Sequence, residues 1–240
     1  MGNLLRLEWY KLWRDKTFYA VFGVTVLQGI CISFDGHSVT GLQVMEAALH
    51  TANLLILPVC VFPGLFIGRE FDEGTIYHGI ESGHSRFQVF LAKSVVFFIG
   101  CEVLMMAFPA VNVFFHSLAF GFGEPMSAEI ALYLIKVTGV VVVLNAASMA
   151  TGLLLGFLCR DVAKTIGISL FIFGIFKFIL NLYGAKLSFL SFLIPMAAER
   201  LLMTEILPAA SLWLILGSGA AWIAVLGAGA FFCFVRCALQ

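Results

Sequence analysis

The chain has 240 residues, of which 61% are hydrophobic and 12% are charged, and its mean hydropathy is +1.03. Soluble domains are about half apolar and a quarter charged, so this composition excludes an ordinary soluble protein and predicts one that lies in a membrane. The formal net charge is zero and no block of basic residues occurs, which argues against a nucleic-acid-binding surface.

Residues 1–16 predict an amphipathic helix that lies along the membrane surface. One apolar stripe of this helix contains Leu5, Trp9, Leu12 and Trp13. The basic residues, Arg14 among them, fall elsewhere on the helix. Two tryptophans beside several bases are typical of a helix at the lipid headgroups. The alternative is a cluster of charges that only sets the orientation of the first membrane span.

Six apolar runs reach or approach the length needed to cross a bilayer, which is about 20 residues per helix. They cover residues 18–34, 51–68, 89–115, 130–158, 165–183 and 212–235. If the N-terminus is inside, ten of the fourteen basic residues lie on the cytoplasmic side. The sequence therefore predicts an all-α, multi-pass membrane protein, a single transmembrane domain over residues 1–240 with both termini in the cytoplasm.

The segments expected on the outer side differ in character. Residues 35–50 and 116–129 are predicted to be short polar loops. Residues 184–210 are too apolar for a solvated loop and too interrupted for a seventh span. We expect them to form a re-entrant hairpin between the fifth and sixth spans, and the alternative is an amphipathic segment on the outer leaflet.

A few polar side chains fall inside the predicted spans. They are Glu102, Asn112, Asn145 and Lys177. Ionisable groups are costly inside a bilayer and usually face a bundle interior or a wet cavity, so these residues are candidates for lining a transport pathway. The alternative is structural, with ion pairs or hydrogen bonds that hold helices together.

The most polar stretch of the chain runs from Arg69 to Lys93, between the second and third spans. Within it, Thr75 is a candidate N-cap for a short helix that follows Gly74 on the cytoplasmic side. Ser85 and Gln88 have the spacing of a capping box and therefore mark the start of the third span.

The predicted cytoplasmic helix has apolar side chains among its acids. Ile76, Tyr77 and Ile80 are expected to be exposed, which is typical of a helix that docks into a groove of a partner protein. The alternative is an ordinary solvated loop, which would not need these hydrophobic residues.

The chain resembles type-2 ABC exporter permeases, and most closely the single-domain bacterial group that includes lantibiotic-immunity and bacitracin-resistance subunits. In topology the resemblance covers the whole length of the chain. It depends on the N-terminal helix that ends in Trp13-Arg-Asp-Lys16 and on the polar stretch. The residues of that stretch that carry the resemblance are Glu70, Phe71, Gly74, Thr75, Ser85, Arg86 and Lys93.

The resemblance implies that residues 69–88 form a coupling helix, which contacts a separate cytoplasmic P-loop ATPase. The implied contact residues are Glu70, Phe71, Glu73, Gly74, Thr75, Ile76, Tyr77, Ile80 and Arg86. The N-terminal helix would be the connecting helix that packs beside it, with Trp9, Leu12, Trp13 and Arg14. Residues 184–210 would be the outer hairpin that closes the exit.

The resemblance also implies partners and a function. Two ATPase subunits would assemble with two permeases, the second being another copy of this chain or a sister subunit. ATP and Mg²⁺ would bind only in the ATPase, and an amphipathic peptide or hydrophobic antibiotic would be exported across the bacterial cytoplasmic membrane.

The chain itself has no signature of an enzyme. It contains no P-loop, HExxH, GxSxG or CxxC motif, so we expect no catalytic residue, no metal site and no cofactor bound by this chain. Two other functions stay open from the residues alone. One is an integral membrane enzyme that uses Glu102, Asn112 and His116, and the other is a membrane scaffold or sensor subunit that transports nothing.

Overall fold

The computed structural model of the protein describes residues 1–34, 39–50, 56–123, 125, 127–183 and 209–236, and these residues form helices and turns without any β-strand. The first half of the chain contains α1 (Gly2–Arg14), α2 (Lys16–Ser33), α3 (Gly41–His50) and α4 (Ile56–Pro63). It continues with a π-helical turn (Gly64–Gly68), α5 (Arg69–Asp72), a 3₁₀ turn (Thr75–Tyr77) and α6 (His78–Glu81). The second half contains α7 (Arg86–Phe120), α8 (Ala128–Cys159), α9 (Val162–Tyr183) and α10 (Ala209–Val235).

Within the described part of the chain, four helices are long and apolar enough to cross a membrane: Lys16–Ser33, Arg86–Phe120, Ala128–Cys159 and Leu212–Val235. They coincide with the first, third, fourth and sixth predicted spans. The fifth predicted span lies in α9, a helix of 22 residues from Val162 to Tyr183. The six-span count and the orientation stay predictions.

Three other predicted segments are only partly covered by the described residues or differ from their prediction. The second predicted span contains α4 and the π-helical turn, and its first residues, 51–55, lie outside the described part of the chain. The outer hairpin predicted for residues 184–210 also falls almost wholly outside it. The expected polar loop at residues 35–50 is partly wrong, because α3 occupies most of it and packs against α7.

Local signals explain how the two longest helices begin. Ser85 and Gln88 exchange side-chain and backbone hydrogen bonds of 3.3 Å at the start of α7, which confirms the predicted capping box. Ser127 caps α8 by accepting a hydrogen bond of 3.2 Å from the backbone N–H of Ile130. These caps fix the points at which the chain enters the apolar layer.

An aromatic core joins α2, the α4 region and α7. The rings of Phe62 and Phe97 stack with their centroids 5.5 Å apart, and Phe18 and Phe66 each contact Phe62. These four side chains are nearly or completely buried. Stacked and edge-on aromatic pairs each contribute about 0.5–1.5 kcal/mol beyond the burial of their area, so this core holds the α4 region firmly against α7.

The π-helical turn approaches the start of α9 so closely that it requires glycine. A Cβ atom on Gly64 would lie 2.6 Å from the Cγ1 atom of Ile166, and one on Gly68 would lie 3.0 Å from the backbone of Asp161. Side chains at these positions would push α9 away from the turn. The close approach also sets the position of α5, which follows directly after Gly68.

Candidate functional site

The polar segment between the π-helical turn and α7 is a chain of short turns rather than one helix. α5 ends at Asp72, Gly74 takes a positive φ of 69°, and the 3₁₀ turn begins at Thr75 without a side-chain cap. The short helix expected after Gly74 with Thr75 as its N-cap is instead this 3₁₀ turn followed by the four-residue α6, and the coupling helix implied for residues 69–88 is interrupted. The physical reason is the left-handed backbone at Gly74 and again at Gly83, where φ is 85°, because such a backbone interrupts an α-helix.

The apolar residues of this segment face the protein. Ile76 is 2% exposed and belongs to the core, while Tyr77 and Ile80 are half-buried and pack against it. Phe71 contacts the ring of Tyr77 on one side and that of Phe157 on the other. The prediction that Ile76, Tyr77 and Ile80 are exposed for docking is wrong for Ile76, because its hydrophobic surface is already covered by the neighbouring helices.

Four charged side chains from three elements meet beneath this segment, and we call them the charge junction: Glu8, Lys11, Glu70 and Lys93. Lys93, at the start of α7, places its Nζ atom 2.8 Å from Glu8 Oε2 and 2.6 Å from Glu70 Oε2. Lys11 Nζ lies 3.1 Å from Glu8 Oε1 and 3.0 Å from Glu70 Oε1. Each ammonium thus bridges both carboxylates, and α1, α5 and α7 are joined by alternating charges.

Burial makes the pairing in the charge junction necessary. Lys93 is 1% exposed and Glu8 is 5% exposed, so either charge alone would carry a desolvation cost of several kcal/mol. The ring of Phe66 adds a cation–π contact, with its centroid 5.1 Å from the Lys93 Nζ atom. The two carboxylates and two ammonium groups balance to zero net charge.

The pKa values of the junction follow from the same contacts. Burial alone would raise the pKa of the Glu70 carboxyl, but Lys93 and Lys11 outweigh it and hold that pKa below its usual range. Burial alone would lower the pKa of the Lys11 ammonium, but Glu70 and Glu8 raise it above its usual value. Both groups are therefore held in their charged forms.

Further polar contacts join α5 to α9, and join α7 and the end of α8 to α10. Asp72 accepts a hydrogen bond of 3.1 Å from the backbone N–H of Val162, the first residue of α9. Arg86 and Arg160 donate to the carbonyl oxygens of Val235 and Cys233, at 2.6 Å and 3.2 Å, near the end of α10. A displacement of α5 would therefore reach α1, α7 and α9 through direct contacts, whereas α10 is contacted by Arg86 of α7 and by Arg160 at the end of α8.

Two cavities flank the charge junction. One, of about 670 Å³, lies between α1, the start of α2 and α5, and its lining includes Arg14 and Glu73. The other, of about 440 Å³, lies between α1 and the turns at residues 75–84, and its lining includes Ile76 and Gly79. Lys11 and Glu70 line both cavities, so the junction separates two open spaces.

A comparison with known protein families identifies the family of the chain. A family model described as ABC-2 family transporter protein matches residues 4–177, well over half of the chain. The chain belongs to this family. Membrane subunits of the ABC-2 family are multi-pass transport proteins and generally work with a cytoplasmic ATPase subunit. A comparison with curated proteins found no significant match.

The matched region of this ABC-2 protein contains the whole charge junction, including two members that the sequence reasoning missed. Glu8 and Lys11 were overlooked because the helical wheel was read as a lipid-facing stripe. In the structure the inward face of α1 is Leu4, Glu8 and Leu12, whereas Trp9 and Trp13 are 38% and 49% exposed. The signal was present: Glu8 lies midway between two leucines at four-residue spacing.

The candidate pathway residues of this ABC-2 protein are only partly brought together. The Nδ2 atom of Asn145 lies 3.5 Å from Glu102 Oε2, so these two residues connect α7 and α8. Asn112 accepts a hydrogen bond of 2.8 Å from the hydroxyl of Ser33 in α2. Asn112 thus connects a different pair of helices, α2 and α7. The side chain of Lys177 lies outside the described residues.

Proposed function

We propose that this protein is the membrane-spanning subunit of an ATP-driven exporter and that the segment 69–84 receives the movement of a separate cytoplasmic ATPase. The observation that carries the proposal is the charge junction, because it joins that segment to the surface helix α1 and to the membrane helix α7. Membership of the ABC-2 family supports the ATPase partner.

The contacts suggest how the movement is transmitted. A push on the segment acts on α5 through its backbone and on α7 through the pair Glu70–Lys93. Because this pair is buried and doubly bridged, it resists separation better than a solvated ion pair. α1, α5 and α7 then move as one unit, and α9 follows through the contact of Asp72 with Val162.

The surface that meets the ATPase consists of the exposed residues of the segment. The side chains of Glu73, His78 and Glu81 are 48%, 72% and 69% exposed. These polar groups replace the buried Ile76 as the expected contacts, together with the half-buried Tyr77 and Ile80. The orientation expected from the distribution of basic residues would put this surface on the cytoplasmic side of a bacterial cell membrane.

The composition of the complex and its cargo follow from the resemblance to lantibiotic-immunity and bacitracin-resistance subunits. Two permeases, identical or sister, would pair with two ATPase subunits that bind ATP and Mg²⁺. The cargo would be an amphipathic peptide or a hydrophobic antibiotic, and export would give the cell resistance or self-immunity.

The proposal is tested by purifying the protein with its ATPase and measuring ATP hydrolysis with and without the permease. We expect co-purification and permease-dependent hydrolysis, and we expect Glu81→Lys to weaken both by at least about tenfold, since reversing a charge at a contact costs more than a kcal/mol. Glu129→Lys, the same change in the first turn of α8 at the opposite end of that helix from Arg160, is the matched control.

A stable permease that binds no ATPase, or hydrolysis that is indifferent to Glu81→Lys, contradicts the proposal and favours a scaffold or sensor. Ile76→Asp is not a suitable test of the ATPase contact. It would bury an unpaired carboxylate in the core and unfold the segment itself.

A further inference from the structure

A cleft of about 670 Å³ opens between the end of α1, the start of α2 and α5. Its lining contains four bases, Lys11, Arg14, Lys16 and Arg69, and the apolar side chains of Leu65 and Phe66. Pockets that hold small molecules usually measure about 300–1,000 Å³, so the cleft is large enough for a ligand of that size.

The acids of the cleft are already paired, which leaves it with an excess of positive charge. Glu73 and Asp15 contact Arg69 at 2.7 Å and 3.5 Å, and Glu70 belongs to the charge junction. Arg14 and Lys16 have no carboxylate within ion-pair distance among the residues that the structure describes. Their charges are therefore available to an anion.

The side chain of Arg14 is held in place without being neutralised. Its Nη1 atom donates a hydrogen bond to the hydroxyl oxygen of Tyr10, and its guanidinium lies over the Tyr10 ring. A phenol hydroxyl orients the guanidinium without supplying a carboxylate to balance its charge. An oriented guanidinium is well suited to the oxygen atoms of a phosphate.

The position of the cleft relative to the membrane is shown by the aromatic residues around it. Trp9, Tyr10, Trp13 and Tyr19 are all more than a third exposed. Exposed tryptophan and tyrosine side chains concentrate at the level of the lipid headgroups. The mouth of the cleft therefore lies where phospholipid headgroups are found.

We propose that this cleft binds the headgroup of an anionic phospholipid, with its phosphodiester at Arg14 and Lys16. Basic pockets beside membrane helices take anionic headgroups in this way. Arg69 and Lys11 line the same cleft, so a bound lipid would hold α1 against α5 and strengthen the unit that contains the charge junction. The site needs only a membrane, and it is independent of the proposed ATPase.

The test uses the full-length protein in dodecyl maltoside, titrated with dioleoyl phosphatidylglycerol or with dioleoyl phosphatidylcholine. Native mass spectrometry counts the bound lipids, and thermal unfolding measures their effect. We expect tighter binding and a higher Tm with phosphatidylglycerol, and a loss of affinity of about tenfold or more in the double variant Arg14→Gln/Lys16→Gln.

The matched control is Arg6→Gln/Lys164→Gln, which removes two exposed bases that do not line the cleft. We expect it to bind phosphatidylglycerol as the wild type does. Equal losses of affinity in both double variants would mean that the lipid is attracted by the basic residues of the surface in general. Equal binding of the two lipids would mean that the cleft does not recognise the anionic headgroup. Either result overturns the proposal.

Two further experiments test whether something other than a lipid occupies the cleft. Displacement of phosphatidylglycerol by glycerol 3-phosphate would show that a soluble phosphate suffices, which overturns a lipid as the ligand. Loss of ATPase co-purification in Arg14→Gln/Lys16→Gln with unchanged lipid binding would assign the cleft to the protein partner and would overturn the proposal as well.

Discussion

Two polar sites along α7, at Lys93 and at Glu102, differ in how completely their side chains are paired. Lys93, near the start of the helix, lies within 2.8 Å of two carboxylates from two other elements. Glu102, further along, has one amide contact at 3.5 Å, and its Oε1 atom has no hydrogen-bond partner among the described residues. The contrast shows that the strong electrostatic interactions lie where α1, α5 and α7 meet and that the interior depends mainly on packing.

The largest expected effect comes from breaking the charge junction at its most buried member. Lys93→Met leaves two buried carboxylates facing only Lys11, and removal of one partner from a buried pair costs about 3–5 kcal/mol. Denaturant unfolding in detergent measures this loss. Lys164→Met is the matched control, because Lys164 has a side chain 70% exposed and its ion pair is 3.9 Å long. Equal changes in the two variants would contradict a special role of the junction.

A smaller and pH-dependent effect is expected from Glu70. Its pKa is lower in the folded protein than in the unfolded chain, so its stabilisation is fully present above the usual carboxyl pKa of about 4.3 and is lost as the pH falls below it. We expect the Tm of the wild type to drop between about pH 5 and pH 3 and that of Glu70→Gln to drop less. Parallel curves of Tm against pH for the two proteins would show that other groups cause the loss of stability in acid.

The smallest effect is expected at Glu102, the less completely paired of the two polar sites on α7. Glu102→Gln keeps the shape of the side chain and alters one long hydrogen bond, so the change in unfolding free energy should stay below about 1 kcal/mol. A transport assay on the same variant separates a pathway role from a structural one, because only the former lowers transport at unchanged stability. A loss as large as that of Lys93→Met would erase the contrast between the two regions.

The sequence predicted those features that depend on local patterns. The capping box at Ser85 and the four long apolar helices could be read directly, because capping and the burial of apolar runs depend on residues close together in the chain. It also located the polar segment and named Glu70 and Lys93 as members of one motif. The family match over residues 4–177 agrees with the resemblance to ABC permeases, from which those residues were named.

The sequence could not show whether a given side chain faces the rest of the protein or its surroundings. The pattern of α1 identified an amphipathic helix, but a helical wheel does not distinguish a face that contacts protein from one that contacts lipid. The same ambiguity led to Ile76 being taken as exposed, since a hydrophobic residue among acids fits a docking surface and a local core equally well.

The sequence by itself determined an all-helical membrane protein with one polar segment between two apolar regions. Composition and periodicity were enough for this, because they indicate whether a segment lies in lipid or in water. Only the tertiary structure decided that Glu8 and Lys93, 85 residues apart, form a buried ion pair and that Ile76 closes the core above it. Contacts at such separations depend on how helices pack, and one sequence contains no record of which distant charges will meet.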